Sequence, residues 1–533
     1  MTSMGVIVNN TIPQRRSGKL HVMAIAGSLL MSACGTLNEA PPPTIAISKT
    51  QNPLVARYSI TAGCAGKAMV EFGTDTSYGR STSWQPLPGH YGRADILIAG
   101  MKASTTYHML SHVQCFGNTL TSADRTFTTG PLPSTPFPSL VVSRPNPSLT
   151  PAENPGVELI DVFALGSNVT QAFFTDRDAH PIWYYDLPQG EAPYTMKLLP
   201  NGNMIFSITR SITAGTILRE VDLAGNTIRE MGTAGLDSKM QLAGFGFVPT
   251  GFHHDVLPLD NGHLIVLVNY TQNFTDLPGY PGTIGVLGDG LVDLDENWNP
   301  VWAWSAFDHL DVNRHLNGLP DWTHGNAVIY SPDDGNLLLS LRHQSWILKI
   351  DYNNGTGSGD VLWKLGYQGD FALSPFDDPS LWFSFQHFPS IISQNGPQTT
   401  LAVWDNGNAR VMDSSGTICT NGAAIGTPNA CFSRAVVFQI DESTRVATLA
   451  WQDQPGNQSI WGGSINQLAN GNVEFDMNAP GFPPSPNVAS EIQEVTQTAN
   501  PQIVWKLDIL SIPIYAYRAY RVPSLYPGVT WQY

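Results

Sequence analysis

The stretch Val256-Leu257-Pro258-Leu259-Asp260-Asn261-Gly262-His263 joins an apolar strand to a tight turn, and this pattern recurs along the chain. Related stretches lie at 198–203, 329–336 and 467–472. The units also contain an acidic strand followed by a tryptophan-bearing strand: 291–294 with 301–304, 347–351 with 361–364, 437–441 with 449–451, and 491–495 with 503–506. Because four-stranded units that start roughly 55 to 75 residues apart are typical of propeller blades, the repeat predicts a β-propeller.

We therefore expect an all-β fold, in which a small β-sandwich precedes a propeller over residues 156–533. Full or partial blades begin near residues 195, 252, 322, 385 and 462. A sixth blade combines 182–185 with 517–522, so the two ends of the domain pair and leave no open sheet edge. This closure favours six blades rather than seven.

The composition limits the classes of function. The chain has 533 residues, with 27 Lys plus Arg against 43 Asp plus Glu, and a formal net charge of −16. Nucleic-acid partners are disfavoured because they require a basic surface to neutralise phosphates. Charged residues make up only 13%, whereas 49 Gly and 40 Pro indicate many turns. A hydrophobic share of 42% excludes disorder for most of the chain.

The N-terminal segment has the pattern of an export signal. It contains basic residues, an apolar run and small residues before a cysteine: Arg15, Arg16 and Lys19; 20–31; and Ser32-Ala33-Cys34-Gly35. This resembles a bacterial lipoprotein signal over 1–33, with Cys34 as the lipidated first residue and 34–43 as a tether. A transmembrane anchor is the alternative, but the run is shorter than the ~18 to 20 residues of a span. We expect an exported protein, periplasmic or attached to the outer membrane, that a lipid holds at the membrane.

Residues 44–130 contain short alternating strands separated by Gly and Ser turns, which is typical of a small β-sandwich. Within them, 101–107 together with 127–130 resembles a fibronectin type III domain. Such domains position or recruit, so we expect no chemistry there. Residues 131–155 are rich in proline, which cannot donate ladder hydrogen bonds, and are predicted to form a stiff linker.

Apart from Cys34, the chain has an even set of cysteines: Cys64, Cys115, Cys419 and Cys431. Four cysteines allow three disulfide connectivities. Local pairing, Cys64 with Cys115 and Cys419 with Cys431, is the simplest of them. Zinc binding is a weaker alternative because these cysteines form no CxxC pair. Disulfides fit an oxidising compartment and imply thiol oxidation machinery as a partner.

The candidate site lies at the blade starts, because the first strands of a propeller line its central channel. These starts carry His253-His254, His324-Gly325-Asn326, His387, Gly463-Ser464 and 517–521. Arg342-His343 ends the second strand of the blade that opens with His324, and so returns to the same rim. Imidazole and guanidinium groups around a channel mouth indicate a pocket for a compact, multiply charged oxyanion.

Several motifs together resemble the bacterial arylsulfate sulfotransferases over about 370 residues. They are His254, His324-Gly325-Asn326, Arg342-His343-Gln344-Ser345, His387, Trp404-Asp405-Asn406-Gly407-Asn408-Ala409-Arg410 and Tyr517-Arg518-Ala519-Tyr520-Arg521. The resemblance implies a six-bladed propeller that passes a sulfuryl group from one phenol to another through a sulfated histidine. It also implies no cofactor, and the chain has no GxxxxGK[ST] loop for a nucleotide.

By this resemblance His387 is the nucleophile. The implied sulfuryl-binding groups are His254, His324, Asn326 and Arg342, with a contribution from Ser464. His253 and His254 remain alternatives for the channel-facing histidine because adjacent strand residues point to opposite sides; His254 is chosen because it repeats the offset of His324. The family pattern includes one disulfide near the site, which Cys419 and Cys431 match, whereas Cys64 with Cys115 is additional.

Other interpretations stay open at this point. Arg342 could instead pair with Asp321 or Asp333, and Asp405 and Asn406 are interpreted as turn-forming residues. The rival functions are a metal- or quinone-dependent propeller oxidoreductase and a non-catalytic surface scaffold. Arg342 in the same pocket disfavours a metal, and we predict none. The sequence leaves the oligomeric state open, with a homodimer as one candidate.

Overall fold

The computed structural model describes residues 42–89, 91–164, 167–210, 215–478, 487–510 and 514–532. The predicted signal, the lipidation site Cys34 and most of the tether lie outside these residues. Within the described part, no helix has both the length and the apolar character needed to cross a membrane.

Residues 44–128 contain two antiparallel sheets. One contains Thr44–Lys49, Ala56–Thr61 and Arg93–Ile98; the other contains Gly66–Gly73, Arg80–Ser81, Gln85–Leu87, Thr106–Cys115, Asn118–Thr121 and Arg125–Thr128. Along Thr106–Cys115 every second side chain is buried, because neighbouring residues of a strand face opposite sides of the sheet. The predicted sandwich is therefore present, while its fibronectin type III character stays a prediction.

Six further sheets follow within the described residues, and we number them as blades 1 to 6. From the inner to the outer edge, their strands are as follows: blade 1, Tyr515–Val522, Val157–Phe163, Ala172–Thr175, Pro181–Tyr185; blade 2, Ala192–Leu198, Met204–Thr209, Thr216–Val221, Thr227–Gly232; blade 3, Gly251–Pro258, Leu264–Leu277, Tyr280–Leu294, Pro300–Ser305; blade 4, Gly325–Ser331, Asn336–Leu341, Trp346–Ile350, Val361–Leu365; blade 5, His387–Asn395, Gln398–Asp405, Arg434–Asp441, Val446–Asp453; blade 6, Ser464–Gln467, Val473–Asn478, Ser490–Val495, Ile503–Ile509. Each innermost strand contacts the innermost strand of the next blade. The predicted six-bladed β-propeller is confirmed.

The ring closes through blade 1, which combines the two ends of the domain. Tyr515–Val522 pairs antiparallel with Val157–Phe163, and Pro181–Tyr185 forms the outer edge of the same sheet. Arg521 then makes buried ion pairs with Glu158 of blade 1 and Glu494 of blade 6. Closure therefore rests on both a strand ladder and a buried charge cluster.

Two blades carry an extra edge strand. Leu140–Ser143, within the segment predicted as a linker, pairs with Ile509–Lys506 of blade 6, since these four residues contain no proline. Ala372–Ser374 runs parallel to the outer strand of blade 5. The described helices are short: α-helices Thr233–Ala243 and Ala306–His309, and 3-10 turns Pro147–Ala152, Arg342–Gln344, Asn353–Gly355 and Pro379–Leu381.

The repeated tryptophans join neighbouring blades. Their indole N–H groups donate to backbone carbonyls of the following blade: Trp183 to Leu223, Trp302 to Gly357, Trp451 to Thr498 and Trp505 to Arg177, at 2.8, 3.2, 2.9 and 2.8 Å. An aromatic ring fills the wedge between two twisted sheets, and its single donor satisfies a loop carbonyl there. Four of the six blades share this contact; the outer strand of blade 2 has no tryptophan, and the indole N–H of Trp363 in blade 4 has no partner among the described residues.

Both predicted disulfides are confirmed. Cys64 pairs with Cys115 inside the sandwich. Cys419 pairs with Cys431 in the loop between the second and third strands of blade 5. The second bridge lies on the face of the propeller where the inner strands begin, which is also the face of the candidate site.

Candidate active site

The predicted histidines lie where the inner strands of three consecutive blades begin. His254 is in a bulged part of Gly251–Pro258, His324 directly precedes Gly325–Ser331, and His387 is the first residue of its strand. His254 and His324 share a left-handed backbone, with φ of 52° and 51°. This conformation is uncommon for residues other than glycine, so the same local bend presents both imidazoles to the channel.

The structure brings these rings together around Tyr517 of blade 1. The ring of His254 lies 4.8 Å from that of His324 and 5.7 Å from that of Tyr517, measured between centroids. The centroid of His387 lies 6.1 Å from that of Tyr517. The Tyr517 hydroxyl is buried and has no hydrogen-bond partner among the described residues. Three predicted site histidines from three blades therefore share one pocket.

The tautomer of His387 is set by Asn406. The Nδ2 group of Asn406 donates to the carbonyls of Ser459 and Gly462, at 2.7 and 3.0 Å. Its Oδ1 must then be the acceptor for His387 Nδ1–H, 2.6 Å away. The lone pair of His387 consequently lies on Nε2, where it accepts a longer hydrogen bond of 3.2 Å from Gly462 N–H.

Burial favours the neutral form of two imidazoles, those of His387 and His254. Burial, followed by the positive charge of Arg342, holds the pKa of His387 well below its ordinary value. Burial, followed by His324, lowers the pKa of His254 in the same way. A neutral imidazole keeps the lone pair that a nucleophile or a general base requires.

Arg342 supplies a buried cation. Its Nη1 donates to His343 Nε2 at 2.7 Å, its Nη2 donates to the Ile460 carbonyl at 3.0 Å, and its guanidinium lies 4.9 Å from the ring centroid of Phe385. Burial lowers the pKa of Arg342 to about 10, which leaves it charged at neutral pH. No carboxylate lies within ion-pair distance of Arg342 in the described part of the chain, so the alternative pairing with Asp321 or Asp333 is not formed. Its Nε is buried without a partner, which suits an anionic ligand.

Three other predicted residues are engaged in protein contacts. The Nε2 of His253 lies 3.1 Å from Oδ1 of Asp289, and its Nδ1 lies 2.7 Å from Nδ1 of His254. Asn326 is fully buried, and its Nδ2 donates to the Gln386 carbonyl at 2.7 Å. The Ser464 hydroxyl is bonded to the Ala519 carbonyl and to Asp476. Contact of Asn326 or Ser464 with a substrate stays a prediction, and it requires these bonds to be exchanged.

Asp321, His324 and His343 form the set in this pocket that resembles a metal site, with ligand atoms within 4.8 Å of one another. His324 Nδ1 is bonded to Asp321 at 2.6 Å. His343 Nδ1 donates to the Asp321 carbonyl at 2.8 Å, and its Nε2 accepts from Arg342. Because both nitrogens of His343 are occupied and a guanidinium is adjacent, the arrangement suits an anion better than a cation.

A buried ion cluster lies close to the histidines, around Asp255, the residue that follows His254. Arg518 and Lys197 both contact Asp255, at 2.9 and 2.6 Å. Arg518 also donates to the backbone carbonyl of Asn326. Sequence reasoning missed this cluster and the role of Asn406, since each joins residues on different strands or loops with no local motif. Asp405, by contrast, pairs with Arg410 and is structural.

Comparison with known proteins adds the following. A crystal structure of a protein of unknown function from Bacteroides caccae is 12% identical, covers 68% of this chain and 98% of its own, and has a TM-score of 0.39. A quinonprotein alcohol dehydrogenase-like protein from Bacteroides thetaiotaomicron is 9% identical, with coverage of 85% and 91% and a TM-score of 0.33. Among curated proteins, no sequence matches this chain.

A family model gives the clearest relation. The model described as arylsulfotransferase matches residues 155–518, which is more than half of the chain. This range contains every histidine and arginine of the pocket described above. The chain therefore belongs to the arylsulfotransferase family.

Proposed function

We propose that the protein transfers a sulfuryl group from a phenolic sulfate ester to a phenolic acceptor, without a nucleotide, in two steps through a sulfated His387. The observation that carries this proposal is the geometry of His387: a neutral imidazole whose Nδ1–H is held by Asn406 and whose lone pair is on Nε2. Sulfuryl transfer by way of an enzyme nucleophile needs this protonation state.

In the first step, His387 Nε2 exchanges its bond to Gly462 for the sulfur of the donor. The N–S bond forms as the S–O bond to the aryl group breaks, and the phenolate leaves with the electron pair. His324, in its imidazolium form paired with the Asp321 carboxylate, protonates it. In the second step the acceptor oxygen attacks sulfur, the S–N bond breaks, and its electron pair returns to Nε2. The acceptor proton passes to the same imidazole, so the protons balance over one cycle.

The sulfuryl oxygens carry negative charge throughout, so fixed donors around them stabilise the transition state. Arg342 offers a buried charge with an unpartnered Nε. His324, bonded through Nδ1 to Asp321, presents its other nitrogen to the pocket. Removal of one such donor costs about 3 to 4 kcal/mol in comparable sites.

The proposed location of the protein is the periplasm or the outer membrane. Two disulfides support folding in an oxidising compartment, where thiol oxidation machinery would form them. The lipoprotein-like signal supports attachment by a lipid on Cys34. The protein would then meet phenolic sulfates and phenols in the periplasm or at the outer membrane, as soluble small molecules.

The test is transfer from 4-nitrophenyl sulfate to phenol by the purified protein. We expect nitrophenol release that depends on acceptor, parallel lines in initial-rate plots, and one sulfuryl group on the His387 peptide with donor alone. His387→Asn should abolish turnover. Arg342→Ala should retain some activity, with a kcat about 10²- to 10³-fold below that of the natural enzyme. An active His387→Asn variant, or intersecting lines without an adduct, would mean direct transfer between two bound phenols.

A further inference from the structure

A second cavity opens on the same face of the propeller, between blades 4 and 5. Its volume is about 380 Å³. Connections that lie on the site's face form its walls, because they precede inner strands or join second to third strands. Most of the wall is apolar or aromatic, and its main members are Tyr367, Trp382, Phe383, Phe385, Val411 and Ile418.

This cavity adjoins the sulfuryl-binding region through one aromatic ring. Phe385 lines the cavity, and the guanidinium of Arg342 lies over this ring, 4.9 Å from the ring centroid. Ser345, also in the wall, donates its backbone N–H to the Arg342 carbonyl at 3.1 Å. The Phe385 ring therefore lies between a molecule in the cavity and the guanidinium of Arg342.

Two polar side chains of the wall, Ser384 and Arg410, are bonded within the protein, although the Arg410 Nε has no partner among the described residues. The Ser384 hydroxyl donates to the Asn408 carbonyl at 2.6 Å. Arg410, the charged member among the described lining residues, is paired with Asp405 at 2.6 Å. At the mouth, Leu316 and Ile418 are 54% and 50% exposed. An uncharged hydrocarbon surface suits such a site, since a charged group would be desolvated there without a partner.

We propose that this cavity holds the outer rings of a polycyclic phenol while its oxygen reaches the histidine pocket, so that the enzyme selects polycyclic over monocyclic phenols. The proposal rests on the sulfuryl transfer proposed above and names its substrate class. A dry cavity of roughly 150 Å³ accommodates one benzene ring. The present volume exceeds twice that value and so leaves room for at least two fused rings.

The test compares phenol with 2-naphthol as acceptors for 4-nitrophenyl sulfate. In the natural enzyme KM for 2-naphthol should be about tenfold or more below KM for phenol, the discrimination expected from burying extra apolar carbons. Val411→Trp fills the cavity and should remove this difference while kcat with phenol stays unchanged. Val301→Trp changes a 49% exposed valine on the outer strand of blade 3 and is the matched control. This variant should retain the difference in KM between 2-naphthol and phenol.

Ile418→Ser provides a second variant in case Val411→Trp does not fold. It should raise KM for 2-naphthol without raising KM for phenol. Naphthalene, which has no oxygen to accept a sulfuryl group, reports on the cavity alone by saturation-transfer NMR. Naphthalene bound by the natural protein but not by the variants, without transfer activity, would overturn sulfuryl transfer and leave an aromatic-binding cavity. Transfer with equal KM for both acceptors, or naphthalene binding that neither variant alters, would overturn the cavity assignment.

Discussion

Replacement of Asn406 by Ala tests whether a buried amide controls the nucleophile. The change removes the acceptor of His387 Nδ1–H, which lies at 2.6 Å in a fully buried position. A buried donor without a partner costs about 1 to 3 kcal/mol. If that cost appears in the transition state, where the imidazole must keep Nδ1 protonated, kcat should fall about 5- to 150-fold.

Asn408→Ala is the matched control because it removes a similar hydrogen bond from the same loop. Asn408 is 6% exposed, and its Nδ2 donates to the Ile460 carbonyl at 2.7 Å without contacting His387. Both variants should lose thermal stability to a similar extent. The loss of kcat with 4-nitrophenyl sulfate and phenol should be larger for Asn406→Ala.

The pH profile separates positioning from a general structural effect. Asn406→Asp places a carboxylate beside His387, which stabilises the imidazolium and raises its pKa. The acid limb of kcat/KM should then move to higher pH by at least about one unit, whereas the Asn408 variant should leave the limb in place. An unmoved limb in Asn406→Asp, together with equal kcat in the two alanine variants, would refute the role assigned to Asn406.

Three further predictions concern the anchor, the disulfide and acid stability. Cys34→Ser should give an exported protein that no longer partitions into detergent with the membranes, and retention through high-salt washes would contradict lipid anchoring. Reduction of Cys419–Cys431 should lower activity more than it lowers overall stability, because closing so short a loop stabilises the fold by about 3 kcal/mol or less. Loss of the sandwich disulfide should leave kcat unchanged. Burial lowers the pKa of His343 from 6.5 to about 4, so the folded state should lose about 3 kcal/mol as pH falls from 6.5 through 4. Calorimetry of His343→Gln should show a shallower decline over that range, and an identical decline would count against a neutral His343.

Several features of the fold were predictable from the sequence because their signals are local. The turn at 256–263 and its relatives, with the tryptophans that follow, mark each blade within a few dozen residues. The pairing of Cys419 with Cys431 spans only 12 positions. The register of His254 and His324 also follows from repeat position, and both have the same left-handed backbone.

The tertiary structure decided what surrounds those residues. Asn406 reaches His387 across 19 positions, and Gly462 reaches it across 75. The bonds that occupy Asn326 and Ser464 likewise join different strands, and the cavity beside Phe385 is formed by loops of two blades. Local periodicity determines which residues begin a strand, but side-chain partners depend on the paths of irregular loops and on how twisted sheets meet, which no repeat in the sequence encodes.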